Sequence, residues 1–241
     1  MKKNFQTSFV IFLISFIFAS CSWYNQTIYK NKRVVSANSN GHTPCYISPK
    51  QDTSIIRRTM NSYLTAFDFR KNDTVASIGV GGGWREFLYS VFTDGITFYM
   101  EDMDTSCITR EKINNIYIPH YSEIRGSKLT NNFIPASGSD SSINIKDNAV
   151  CKVIIVNVYH HFTKDKAMIK ECRRILKPEG NLIIGEFVFR KNKHSYRYCP
   201  IDGGMYKSEK NFVNDIINIG FKTDTVYRQR MYRIFVFSKA K

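Results

Sequence analysis

Four glycines within five residues, set between an apolar strand and an amphipathic helix, constrain this chain more than any other feature. They lie in Asp73–Glu86, DTVASIGVGGGWRE. Val75, Ala76, Ser77 and Ile78 read as a short buried strand, and Arg85-Glu86-Phe87-Leu88 opens a helix. Gly79, Gly81, Gly82 and Gly83 crowd the turn between them. Glycine has no Cβ and tolerates positive φ, so such a turn lets backbone approach a ligand closely. It also aims the free N–H groups of a helix start at that ligand. The spacing is not the G-x-G-x-x-G of a dinucleotide site, because Trp84 stands where the third glycine belongs. It is not a P-loop either, since no Gly-Lys-Ser/Thr follows.

Around the turn, strands and helices alternate. Asp52 or Thr53 caps a first helix whose apolar stripe is Ile56, Met60, Tyr63, Leu64 and Phe67. After the glycine turn come a helix with Phe87, Leu88, Val91 and Phe92 inward, then a strand at residues 96–100 ending in Glu101-Asp102-Met103-Asp104. A weaker helix carries Ile108, Ile113 and Ile116 inward and leads to a polar, aromatic connection at 117–131. Phe133–Ala136 reads as a short strand ending at Pro135. Val150–Val158 is nearly all apolar, as expected of a parallel strand covered on both faces. Met168, Cys172, Ile175 and Leu176 stripe the next helix, which Lys177-Pro178-Glu179-Gly180 should stop. A strand at 182–187, a helix capped by Ser208 and ended by Gly220, and two terminal strands complete the chain. The pattern predicts an α/β fold: a doubly wound, mostly parallel seven-stranded sheet with helices on both faces and a C-terminal antiparallel hairpin.

Residues 1–21 stand apart. Lys2 and Lys3 precede an apolar run, Phe9–Ala19, that is shorter than the roughly 20 residues a membrane-spanning helix needs. It has the length of a secretory signal segment. Ala19-Ser20-Cys21 resembles the lipobox of bacterial lipoproteins, with Phe18 in place of the usual leucine. That resemblance implies lipidation at Cys21 and an exported, membrane-anchored protein of a bacterial envelope. A plain signal peptide or an uncleaved anchor is the competing reading. Residues 22–51 hold Lys30, Lys32, Arg33 and Lys50 with no acidic residue, and read as a basic, polar tether to a domain at 52–241.

A formal charge of +15 would suit nucleic acid or an anionic membrane. The Lys and Arg residues are scattered through a chain rich in Asn and Ile rather than gathered in a run, which argues against a nucleic-acid partner. The six cysteines form no C-x-x-C pair, so no zinc or redox motif is expected. Buried free thiols are the default; in an exported protein a pair such as Cys45 with Cys199 could bridge.

In a doubly wound sheet, ligands bind at the C-terminal ends of the strands where strand order reverses. Those ends offer the glycine turn, Asp102, the polar Gly138-Ser139-Asp140-Ser141 and Asn157-Val158-Tyr159-His160-His161-Phe162. Asp102 lies about 20 residues beyond the first glycine, where a carboxylate accepts ribose hydroxyls in dinucleotide sites. Taken together, the motifs resemble the class I S-adenosylmethionine-dependent methyltransferases over residues 55–240. Ser77–Gly83 is similar to that family's D-I-G-x-G-x-G, and Asp147-Asn148-Ala149-Val150 to its D-N-S-F. Tyr159–Phe162 is similar to L-H-H-V, Arg173–Gly180 to R-V-L-K-P-G-G, and Gly220-Phe221 to a closing G-F.

The resemblance implies a Rossmann-like methyltransferase fold and S-adenosylmethionine as cofactor. It places Ser77, Gly79, Gly81, Gly83, Asp102, Met103, Asp140, Ser141 and Asn157 around that cofactor, with His160 as candidate base. Three positions depart from the pattern: Ser77 replaces the usual acid, Ser139 the aspartate of G-D-A, and Cys151 the aspartate of F-D-L-V. The expected activity is methyl transfer to a small molecule or an envelope component. The alternative is a lipid-anchored binding module that keeps a degenerate fold without catalysis.

Overall fold

The computed structural model describes residues 33–36, 45–189, 197–199 and 203–240. The signal segment and Cys21 lie outside the described residues. No helix among the described residues is long and apolar enough to cross a membrane. A small antiparallel pair comes first, β1 (Arg33–Ser36) with β2 (Cys45–Ile47). The main sheet then takes β3 (Thr74–Ile78), β4 (Thr97–Asp102), β5 (Asn132–Ser137), β6 (Val150–Val156), β7 (Leu176–Phe187), β8 (Phe221–Gln229) and β9 (Tyr232–Lys239). Its order is β5-β4-β3-β6-β7-β9-β8. The first five strands are parallel, and β9 joins β7 and β8 antiparallel, as the sequence pattern predicts. The chain walks outward from β3 to β5 and then returns to place β6 beside β3. The reversal, and hence the crevice for a ligand, therefore falls between β3 and β6.

Alternation along the strands builds two cores. Val75, Phe98, Ile154, Ile183 and Ile234 face one side, under α1 (Thr53–Phe67), α2 (Trp84–Ser90) and a helix α3 at residues 110–125. Ala76, Val153, Ile155, Leu182, Ile184 and Phe235 face the other, under α4 (Asp165–Ile175) and α5 (Glu209–Ile217). The first core is aromatic. Phe87 stacks on Tyr117 at 4.8 Å and on Tyr121 at 5.4 Å, pinning α2 against α3.

Several local expectations change. The segment from 117 is not a loop: α3 continues to Arg125 through a π turn at Ile113–Tyr117. The wider turn rotates the stripe, so Tyr117 and Tyr121 go inward while Ile116 is only half-buried. Pro135 sits within β5 rather than at its end, which an edge strand tolerates. The helix before Pro178 ends at Ile175, and Leu176 through Gly180 already belong to β7. A proline forces the residue before it into extended backbone, which favours a strand there as readily as a turn. A Cβ on Gly180 would lie 2.8 Å from the Cys151 carbonyl oxygen, so a bare glycine is needed where β7 meets β6.

The cysteines also depart from expectation. Cys45 is disulfide-bonded to Cys107, while Cys199 is a buried thiol outside that bond. Inside the stretch read as a tether, Ile47 and Ser48 are buried. Ser48 donates through both its N–H and Oγ to the Tyr121 hydroxyl. Residues 45–48 thus pack against the domain on α3, a contact that a sequence window without its distant partners could not show.

Candidate functional site

At the end of β3 the chain does what its glycines permit. Gly79, Gly81 and Gly83 all adopt left-handed φ, at 68°, 55° and 69°. A Cβ on Gly79 would sit 2.4 Å from Val158 Cγ1, so that position has no room for a side chain. Above Gly81 nothing lies within 4 Å of such an atom, which makes it the open side of the turn. Gly82 lies beneath the backbone of Tyr46, so residues 45–48 cross the front of the turn and are tied by Cys45 to Cys107, just beyond β4.

β4 supplies the carboxylates. Asp102 accepts from Gly81 N–H at 2.7 Å and from Asp104 N–H at 2.9 Å. An ionised carboxylate offers about four acceptor positions, so two remain for a ligand. The glycine turn is itself one of the partners that orient Asp102. Glu101 faces the opposite side of the strand, where it is buried and accepts from Gly79 N–H at 3.3 Å. Met103 is 71% exposed, an apolar side chain standing free next to Asp102.

The position that departs from the expected acid has a partner on α2. Ser77 Oγ donates to Glu86 Oε1 at 2.7 Å, across the base of the turn, and both residues are buried. Burial pushes Glu86 up to about 7, the Ser77 hydrogen bond opposing the shift. Burial likewise lifts Glu101 to about 7, against the Gly79 N–H. A carboxyl raised in this way favours the fold while protonated, so its contribution is complete below about 4.5 and is lost as pH rises through about 7. Glu86→Gln should therefore raise the melting temperature at pH 8 and leave it nearly unchanged at pH 5. The upper bound is on the order of 3 kcal/mol. Thermal melts at the two pH values check this, and equal shifts at both would contradict it.

The other strand ends hold the remaining candidates. Asn157, expected next to a cofactor, takes a left-handed φ of 57°, and its Oδ1 is buried without a hydrogen-bond partner. Asp140 is turned to Lys164 at 2.9 Å and to the Ser141 hydroxyl at 3.1 Å. The Lys164 hydrogen bond holds its carboxyl below the usual range. Asp140 and Ser141 are thus already engaged with the protein, whereas Gly81, Asp102, Met103 and Asn157 keep free space or free polar atoms. His160 hydrogen-bonds through Nδ1 to Glu186 at 2.8 Å, with both side chains nearly sealed from solvent. Burial pulls His160 down, but the Glu186 hydrogen bond and charge outweigh it and Cys199 adds to them, so the net shift is upward. Glu86 and Glu186 are functional-site residues that the sequence motifs do not single out. The first had a signal, since a glutamate in the first turn after the glycines lies within reach of residue 77; the second had none.

A cavity of about 410 Å³ lined by Thr53, Ser54, Arg57, Val91, Phe92 and Arg125 lies at the other end of α2, away from the glycine turn. Among the described residues, no group of His, Cys, Asp and Glu has the arrangement of a metal site.

A family model described as a methyltransferase domain matches residues 102–184, from Asp102 through β7. Solved structures share the fold over most of the chain. One, described as a SAM-dependent methyltransferase from Aquifex aeolicus, is 20% identical with a TM-score of 0.55, over 80% of this chain and 100% of that one. The [4+2]-cyclase SpnF is 15% identical with a TM-score of 0.58, over 76% and 80% of the two chains. A putative methyltransferase of Haloferax volcanii, solved with the Trm112 methyltransferase activator, is 13% identical with a TM-score of 0.53, over 78% and 95%. No curated protein matches the sequence. The chain has the Rossmann-like methyltransferase fold. A cyclase among its structural relatives means that the reaction must be argued from the site.

Proposed function

We propose that this protein is an S-adenosylmethionine-dependent methyltransferase acting on a small molecule or an envelope component. The observation that carries the reading is the glycine turn joined to Asp102: three left-handed glycines, open space over Gly81, and a strand-end carboxylate held by the turn itself. The match of residues 102–184 to a methyltransferase domain supports it.

The residues present fit S-adenosylmethionine. Asp102 would accept the ribose hydroxyls, Met103 would cover the adenine, and the N–H groups at the start of α2 would face the methionine carboxylate. The cofactor supplies an activated methyl group on a sulfonium. What remains for the chain is to align an acceptor with it and to exclude water. Where the acceptor must lose a proton, His160 is the candidate base, its tautomer fixed by Glu186.

Incubating the full chain with methyl-labelled cofactor and envelope extract should transfer label to an acceptor. Asp102→Ala should cut cofactor affinity by about tenfold or more. His160→Gln should lower turnover and leave that affinity unchanged. A fully active Asp102→Ala variant would remove the reading.

For location, the disulfide supports an oxidising compartment and so agrees with export. Lipidation at Cys21 would then anchor the domain to a bacterial envelope membrane. Cys21→Ser should release the protein from membranes, whereas continued association would point to an uncleaved helix.

The non-catalytic binding module is the second reading. The near-complete burial of the His160 side chain favours it, because the candidate base is shut away from solvent against Glu186.

A further inference from the structure

We propose that Glu86 is the residue that receives the cationic amino group of the cofactor's methionine end, from the first turn of α2. This rests on the cofactor reading above and sharpens it to one end of the ligand.

The chain carries a formal +15, yet the glycine turn is flanked by three carboxylates, Glu86, Glu101 and Asp102. Among the described residues none of the three forms an ion pair. Two of them are accounted for by backbone: Glu101 takes the Gly79 N–H, and Asp102 takes those of Gly81 and Asp104. Glu86 differs. Its Oε1 takes the Ser77 hydroxyl, while Oε2 is buried with no hydrogen-bond partner.

A buried acceptor oxygen left without a donor costs free energy, and one beside a ligand turn is explained by a ligand group that completes it. The missing partner should be a donor, and in so acidic a setting it should be a cation. S-adenosylmethionine brings one in its ammonium group. Glu86 sits at the base of the turn, in the first turn of the helix that the turn opens. The Ser77 hydroxyl holds the carboxylate in place rather than neutralising it.

Binding a cation there also has a proton signature. The groups acting on Glu86 are Ser77 on β3, its own backbone N–H and Arg85 on its own helix, Asp102 on β4 and Tyr121 on α3. Only Arg85 among them carries positive charge, and the free carboxyl stands at about 7. A bound ammonium should bring it down, so binding near neutral pH releases protons.

The test is calorimetric titration of the full chain, in mild detergent, with two probes: S-adenosylmethionine and 5′-methylthioadenosine, which lacks the amino-acid end. Glu86→Gln should weaken the first by about tenfold or more and leave the second unchanged within about twofold. Proton release, read from buffers of different ionisation enthalpy, should disappear in the variant. Adding Ser77→Asp to Glu86→Gln returns a carboxylate to the same place and should recover most of the affinity. Retained binding of 5′-methylthioadenosine by the single variant reports that its turn is still folded.

Unchanged S-adenosylmethionine affinity in Glu86→Gln would overturn the assignment. Equal weakening of both probes would do the same, since it would mean that Glu86 acts only on the shape of the turn. If the wild-type chain binds neither probe, the cofactor reading itself fails, and this inference fails with it.

Discussion

Removing the Cys45–Cys107 disulfide should cost the folded protein up to about 4 kcal/mol. The bond closes a loop of 62 residues, and cross-linking so long a stretch removes much of the freedom of the unfolded chain. The loss should also be local. Cys45 ties residues 45–48 across the front of the glycine turn, and Cys107 ends the short turn Thr105–Cys107 that follows β4. Ser48 still holds Tyr121, and Lys50 still pairs with Glu123 at the surface, so the segment keeps weaker attachments. Urea unfolding of Cys45→Ala/Cys107→Ala, compared with wild type under oxidising conditions, should show a lower midpoint with little change in slope. Adding reductant should move wild type to the variant's midpoint and leave the variant where it is. Equal midpoints for all samples would mean that the bond contributes nothing.

Gly79→Ala should have the largest effect on the site. A Cβ there meets Val158 Cγ1 at 2.4 Å, and the φ of 68° is one that side chains rarely adopt. The turn cannot hold its shape, and both the Gly79 N–H bonds to Glu101 and the placement of Val80 would go with it. Cofactor affinity should fall by about a hundredfold or more, since small displacements in a preorganised site are costly. Gly81→Ala is the informative companion. Its φ of 55° carries a backbone cost of about 1–2 kcal/mol, but no protein atom lies within 4 Å of the new Cβ. Its stability should fall by that backbone cost and no more, while its affinity drops further, because the space a methyl group would take is the space proposed for ligand. Gly81→Ala binding as tightly as wild type would place the ligand elsewhere.

Much of this was legible in the sequence because it depends on local pattern. The apolar runs of β3, β6 and β7 and the stripe of α1 follow from periodicity, and the alternation of elements sets the sheet's topology. Glycines at 79, 81 and 83 marked the turn for a physical reason, and all three take positive φ. What escaped was long-range or helical phase. The π turn at Ile113–Tyr117 moved the inward stripe onto Tyr117 and Tyr121, which a fixed 3.6-residue period cannot anticipate. Cys45 finds Cys107, not Cys199, through the fold of the whole N-terminal half. Asp140, picked out by its strand-end position, is claimed by Lys164 from the start of α4. Ser77 looked like a lost acid because position 77 was read alone; the structure sets Glu86 against it at 2.7 Å.

The central claim is that the glycine turn and Asp102 hold S-adenosylmethionine. Isothermal titration of the purified full chain with that compound, next to Asp102→Ala, tests it most directly. Saturable one-to-one binding below millimolar concentration is expected, weakened about tenfold or more in the variant. Absence of heat and of any thermal shift at millimolar ligand, or identical affinity in the two proteins, would contradict it.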